Sequence, residues 1–243
     1  MVNLVTALIT FLQAVMKLAG IRPHTVEIEP GTVIRIWVPS EAIQRSKKTT
    51  NSTTADGGNT KTNQPSKPVI VLIQGFAGEG ILTWPFQMLS LRKKYSVYVP
   101  DLLFFGGSTT RKPDRSPAFQ AECLAEALRK LGIEKCTVWG FSYGGVVAFK
   151  MAELQPELVE ALVITGSAPV LTESITHDMI QKIGFHSLSE FLLPTSADGC
   201  KRTLQVALCM KLSLPRRAYK DIFEVSFDHP HPFHSLHLFL SIY

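Results

Sequence analysis

Residues 2–19 are mostly apolar, but Asn3, Thr6, Gln13 and Lys17 recur at helical spacing with Thr10 between them. That rhythm predicts a helix whose polar groups form one narrow stripe. The period then changes to two. Thr25-Val26-Glu27-Ile28-Glu29 and Thr32-Val33-Ile34-Arg35-Ile36-Trp37-Val38 alternate around Pro30-Gly31, as a hairpin of half-exposed strands does. Residues 41–67 are rich in Ser, Thr, Asn, Lys and Gly and almost devoid of apolar groups. A hairpin alone cannot form a core, so this stretch is expected to be a flexible insertion within one domain.

From Val69 onward strands and helices alternate. Val69-Ile70-Val71-Leu72-Ile73 is a continuous apolar run, the pattern of a strand buried on both faces. A helix is expected over about 84–94, then a strand at Tyr95-Ser96-Val97-Tyr98-Val99, stopped by Pro100. Ser116-Pro117 reads as a cap followed by proline at the first helical position. The helix it opens carries Phe119, Cys123, Leu124, Ala127, Leu128 and Leu131 on one face. Cys136-Thr137-Val138-Trp139 and Ala161-Leu162-Val163-Ile164-Thr165 are the fifth and sixth strands. Repeated βα units imply a mostly parallel sheet covered on both faces. Beyond about residue 170 the pattern is helical only, at roughly 172–183, 197–211 and 215–225. The organisation is therefore an amphipathic helix (1–20), an α/β core (21–169, with the insertion at 41–67), a helical region (170–227) and an atypical tail (228–243).

The chemistry sits at Gly140-Phe141-Ser142-Tyr143-Gly144, a G-x-S-x-G sequence between a strand and a helix. A turn this sharp strains the serine backbone and leaves no room for Cβ atoms at the flanking glycines. The serine oxygen then projects above the sheet edge beside a helix N-terminus, which favours negative charge. Ser142 is thus the candidate nucleophile, and acyl transfer the leading chemistry.

The bulk properties narrow the partners. The chain is 45% hydrophobic and 19% charged with a net charge of +5, which suits a globular protein with a mild basic bias. The basic residues are scattered, without interleaved aromatics, so no nucleic-acid partner is expected. Cys123, Cys136, Cys200 and Cys209 form no C-x-x-C pair, which fits free thiols in a reducing compartment. The N-terminal helix lacks a basic leader and a clear cleavage site, and its apolar run is interrupted too regularly for a spanning segment. Two readings remain open, a helix docked on the domain or one lying in a membrane interface. Secretion is disfavoured, so the sequon Asn51-Ser52-Thr53 carries no weight, and a cytoplasmic or membrane-associated location is expected.

Val71-Leu72-Ile73-Gln74-Gly75-Phe76, Tyr98-Val99-Pro100-Asp101-Leu102-Leu103-Phe104-Phe105-Gly106-Gly107-Ser108, the elbow and Pro156-Glu157-Leu158-Val159-Glu160 together resemble the α/β hydrolases. They are similar to the plant branch that resembles monoacylglycerol lipases and related esterases. The resemblance covers about residues 21–225 apart from the insertion. It implies the α/β-hydrolase fold, a helical lid after the sixth strand, and no cofactor or metal. It also implies an oxyanion hole made by the main-chain N–H groups of Phe76 and Tyr143. The family's usual histidine is replaced by Gln74, which need not abolish a hole made of main-chain donors. Epoxide hydrolases and haloalkane dehalogenases share the fold but need an aspartate at the elbow, and Ser142 argues against both. Asp101 follows the wrong strand for a catalytic acid and is expected to tie down the turn at Gly106-Gly107.

The departure comes late in the chain. A Ser-acid-His triad needs an acid and then a histidine after the serine. The family's Gly-x-x-Asp and Gly-His segments are not found, and His177 and His186 fall in the lid region. The sequence is therefore expected to lack the last two strands of the fold, leaving Ala161 to Thr165 as an exposed apolar edge and the serine poorly activated. The tail holds His229, His231, His234 and His237 but no Cys or second acidic cluster, and two prolines break it, so no metal site is read there. Adjacent Asp228 and His229 cannot easily form an acid-His-Ser line. Two functions compete. One is a serine hydrolase of carboxylic, including lipid, esters that is impaired in this form. The other is a non-catalytic protein that binds a small ligand or a partner.

Overall fold

The computed structural model describes residues 3–43, 67–168, 172–207 and 214–226. It divides into two compact units, residues 12–168 and residues 1–11 with 169–243. The expected insertion lies outside the described residues from 44 to 66. Its first residues, 41–43, are helical, and Ala42 is buried.

The larger unit is built on one seven-stranded sheet. Its strands are β1 (Ile21–Glu29), β2 (Thr32–Pro39), β3 (Val69–Ile73), β4 (Ser96–Pro100), β5 (Thr109–Thr110), β6 (Cys136–Phe141) and β7 (Val159–Thr165). The order across the sheet is β1-β2-β4-β3-β6-β7, with the short β5 beside β2. The expected hairpin β1-β2 is antiparallel and pairs antiparallel with β4. From β4 to β7 every pairing is parallel. The mostly parallel sheet read from the alternation of elements is therefore present. Parallel pairing carries the chain from one strand to the next through helices and brings the C-terminal ends of β4, β3, β6 and β7 to one edge.

Both faces of the sheet are covered at its centre, which is why all five residues of β3 and all five of β4 are buried. On one face Trp37, Ile70, Leu72, Val97 and Val99 form a core with Met16, Ile81, Trp84 and Met88. On the other, the helices Pro117–Lys130 and Tyr143–Leu154 pack together and against the strands. The first begins as the sequence indicates. Pro117 stands in its first turn, and Ser116 Oγ accepts the Phe119 N–H at 3.1 Å. The helix expected at about 84–94 is present as Pro85–Leu91, and a separate short helix, Gly80–Thr83, precedes it. Pro85 explains the break, because it pushes Trp84 out of helical geometry and opens the second helix in its own first turn.

In the smaller unit the described helices are Glu173–Lys182, Leu188–Leu192, Ala197–Ala207 and Arg216–Ser226. The second is too short to show a period in the sequence, and its start is marked only by Ser187, whose hydroxyl accepts the Glu190 N–H. The helix Leu4–Leu18 begins here and continues into the larger unit. Asn3 Oδ1 accepts the Val5 and Thr6 N–H groups, and the buried Asp221 carboxylate accepts that of Leu4 at 2.8 Å. A carboxylate at a helix N-terminus is favoured by the helix dipole.

Cys123, Cys136 and Cys200 are free and buried. Burial pushes the Cys136 thiol up to about 12 and the other two to about 11. The native protein should therefore expose at most one thiol, Cys209, to Ellman's reagent, and all four after denaturation. Rapid reaction of two or more native thiols would contradict this.

Among the described residues β7 hydrogen-bonds a neighbour on one side only, and Val163 is 38% exposed. An uncovered apolar edge promotes strand-to-strand association. Light scattering at rising protein concentration should show association that Val163→Lys suppresses. An equal response from both proteins would show that β7 is not the sticky element.

Candidate active site

Ser142 stands where β6 turns into the helix Tyr143–Leu154, with φ +52° and ψ −124°. A side chain other than glycine rarely takes positive φ, so the backbone is strained and the surrounding structure must hold it there. Two main-chain bonds do so. The Ser142 N–H donates to the Thr165 carbonyl of the neighbouring strand at 2.9 Å, and its carbonyl accepts the Gly145 N–H at 2.8 Å.

The glycines make this geometry sterically available. A Cβ on Gly140 would lie 2.3 Å from the Gly144 carbonyl oxygen. One on Gly144 would lie 2.3 Å and 2.4 Å from the Gln74 and Ile73 carbonyl oxygens, and one on Gly145 would lie 2.5 Å from Ser167 Cβ. The first turn of the helix thus rests directly on the end of β3. Neither carbonyl at Gly144 can swing away without tearing the sheet.

This contact brings the second candidate group to the first. β3 and β6 are parallel neighbours, with Ile73 beside Gly140, so the loop after β3 emerges next to the turn after β6. A Cβ on Gly75 would lie 3.3 Å from Ser142 Cβ. The rings of Phe76 and Tyr143 meet edge to face at 6.4 Å, and Phe76 meets Phe105 in the same way at 5.3 Å. The structure therefore brings Ser142, Phe76 and Tyr143 together. Ser142 is half-buried, and no imidazole or carboxylate among the described residues hydrogen-bonds to it. Both His177 and His186 belong to the smaller unit. The tail with His229, His231, His234 and His237 lies outside the described residues. Among those described, no group of three His, Cys, Asp or Glu side chains could hold a metal.

Gln74 is fully buried, and its Nε2 donates to the Gly78 carbonyl at 2.7 Å. That bond closes a loop in which Ala77 and Gly78 both have positive φ. Asp101 holds the other end of the loop. Its Oδ1 accepts the Gly80 N–H at 2.9 Å, and its Oδ2 accepts the Gly107 N–H at 3.1 Å and Arg35 Nε at 2.5 Å. The role read for it at Gly106-Gly107 is visible, but the tie reaches further than that turn. Arg35 also donates to Glu79 at 2.6 Å, so one guanidinium from β2 bridges two carboxylates on two loops.

Burial opposes the Arg35 charge, but Asp101 and Glu79 outweigh it and hold its pKa above the ordinary value. Burial, helped by the charge of Asp101, raises the Glu79 pKa against the pull of Arg35. Sequence reading found Asp101 but missed Arg35 and Glu79. In the sequence Arg35 is one polar position of an alternating strand, and nothing there marks its partners 44 and 66 residues away. Removing one partner of a buried pair leaves the other charged and unsatisfied, so Arg35→Ala should lose about 3 kcal/mol or more of stability in urea unfolding. Arg35→Lys should lose less. An Arg35→Ala protein as stable as the parent would mean the clamp is dispensable.

Residues 68–203 match the model of the alpha/beta hydrolase fold family. A putative carbamate hydrolase, RutD, of Serratia proteamaculans is 33% identical over 108 residues, 44% of this chain and 40% of that protein. A pimeloyl-[acyl-carrier protein] methyl ester esterase of Aeromonas salmonicida is 34% identical over 103 residues, 42% of this chain and 39% of that one. The chain thus spans well under half the length of these curated relatives, and 30% of three uncharacterised mycobacterial proteins that match at 36% identity. Among solved structures, a bacterial membrane phospholipase A superposes with a TM-score of 0.64 at 22% identity, over 91% of this chain and 62% of that one. That likeness is one of fold.

Proposed function

The chain belongs to the alpha/beta hydrolase fold family, and on that premise we propose that it is built as a serine hydrolase of carboxylic esters. The observation that carries this reading is the strained Ser142 at the strand-helix turn with the Gln74-Gly75-Phe76 loop packed against it. Epoxide hydrolase 4 of mouse is also similar, 29% identical over 102 residues, 40% of this chain and 28% of that protein. The serine at the elbow favours acyl transfer over epoxide opening. In the proposed reaction Ser142 Oγ adds to the ester carbonyl carbon and gives its proton to solvent water, which returns it to the leaving alkoxide, while the carbonyl π electrons move to oxygen. The Phe76 and Tyr143 N–H groups receive that oxyanion, assisted by the N-terminus of the Tyr143–Leu154 helix. Collapse expels the alcohol and leaves an acyl-serine, which water hydrolyses. Phe76, Phe105 and Tyr143 supply aromatic surface beside the serine, which supports an apolar acyl group and a lipophilic ester. The ester named for the Aeromonas relative supports the same bond class.

A second reading has an observation of its own. Because no described imidazole or carboxylate hydrogen-bonds to Ser142, a protein that binds a ligand beside Ser142 without turnover is the alternative. Loss of triad members typically lowers turnover by about 10⁴ to 10⁶. A fluorophosphonate probe and p-nitrophenyl esters of increasing acyl length separate the two. Labelling and hydrolysis that vanish in Ser142→Ala support the hydrolase, with slow turnover expected. Ester binding without labelling supports the second reading, and activity that survives Ser142→Ala would overturn the assignment of the nucleophile.

A further inference from the structure

The helix Leu4–Leu18 has more apolar surface than its packing uses. Leu12, Val15 and Met16 reach the core of the larger unit, with Met16 fully buried. A single buried face would account for an ordinary amphipathic helix. Here further apolar side chains remain outside. Leu4 and Leu8 are each 48% exposed, Phe11 is 63% exposed and Leu18 is 90% exposed. At about 100° per residue these four side chains fall within roughly 80° of one another. The exposed Ala7 and Ala14 extend the same sector. Thr6, Thr10, Gln13 and Lys17 occupy a separate, polar sector. The core-packed Val15 projects within the same roughly 80° as the four exposed apolar side chains, so the helix docks through side chains of its last turns and leaves those of its first turns, with Leu18, exposed beside a polar stripe.

We propose that the exposed face of this helix is a docking surface for an anionic lipid bilayer, on which the chain lies without spanning it. Length favours lying over spanning. Fifteen residues extend about 22 Å, short of the roughly 30 Å hydrocarbon core. No described helix is long and apolar enough to cross a membrane. Charge identifies the occupant. The helix contains no Asp or Glu, and Lys17 stands in its last turn. Just beyond, a shallow cavity of about 170 Å³ joins Ala19, Gly20 and Ile21 to Lys67 and Arg92, with Glu41 as the carboxylate in its wall. Lys67 Nζ donates to the Arg92 carbonyl, which keeps these basic residues adjacent, and exposed Arg22, Lys93 and Lys94 add to them. At the other end the Asp221 carboxylate is buried and occupied by the Leu4 N–H. An apolar face whose end is rimmed by cations matches an acyl-chain boundary beneath anionic headgroups. A protein partner would leave this one-sided charge unexplained. The proposal does not rest on Ser142 or on any hydrolase activity.

Co-sedimentation with vesicles tests it. The full chain should bind phosphatidylcholine vesicles containing phosphatidylserine, bind pure phosphatidylcholine more weakly, and lose the difference as salt rises. The variant Leu8→Gln/Phe11→Gln/Leu18→Gln should lower the partition coefficient about tenfold or more, with its circular dichroism and melting temperature retained. Should that variant fail to fold, Lys17→Glu/Arg92→Glu reads the electrostatic half and should abolish the preference for phosphatidylserine. Absence of wild-type binding, or equal binding by the folded triple variant, overturns the proposal. So does a wild-type dimer in light-scattering chromatography that becomes monomeric in the triple variant while vesicles remain unbound, because the face would then be a contact between copies.

Discussion

The arrangement around Ser142 depends on one steric constraint, the rest of the Tyr143–Leu154 helix on the carbonyl oxygens that end β3. At 2.3–2.4 Å from a hypothetical Gly144 Cβ, Ile73 and Gln74 leave room for a hydrogen atom and nothing larger. Because one carbonyl ends an interior strand and the other belongs to the next residue, whose buried side chain is tied to Gly78, neither yields. The helix start, the turn before it and the loop after β3 are therefore positioned as one rigid set. The strain at Ser142 is tolerated because the sheet on one side and the helix on the other over-determine it. Preorganisation around Ser142 is first a matter of excluded volume and only then of hydrogen bonding.

Electrostatics secures what the steric contact leaves loose. The loop from Gln74 to Gly80 contains two consecutive residues with positive φ and touches Ser142 through Gly75. It is held at the near end by Gln74 and at the far end by Asp101, which is itself held by Arg35. With Asp101 fully buried, a charge there is tolerable only because the guanidinium and two main-chain N–H groups surround it. Arg35 comes from the antiparallel part of the sheet. The hairpin at the start of the larger unit thus reaches the candidate site through a single side chain, although none of its residues lies in the G-x-S-x-G turn.

The N-terminal helix shows the complementary case of surface that folding leaves uncovered. Met16 and its neighbours complete the core over β3 and β4, and that contact is enough to dock the helix. Phe11 and Leu18 contribute nothing to that contact. Docking on the domain uses Leu12, Val15 and Met16, and the proposed lipid contact uses Leu4, Leu8, Phe11 and Leu18, so the two are not alternatives for this helix.

The repeating patterns and the elbow were legible in the sequence because they are local. A period of two marked the hairpin, a continuous apolar run marked β3, and Gly140 to Gly144 announced a turn that only glycines could flank. Ser142 could be named as a candidate on those grounds, Phe76 and Tyr143 only through the resemblance to the α/β hydrolases, and the structure places the three side by side. The short helix Gly80–Thr83 was not read, because four residues are too few to show a period. What the sequence could not express was distance. The link from Arg35 to Asp101 and Glu79 exists only because β2 pairs with β4, which an alternating strand does not declare about itself. The sequence determined that the first helix has a polar stripe. Only the tertiary structure decided which part of the remaining apolar surface is buried, since every apolar side chain has the same reason to leave water and only the packed core determines which of them can.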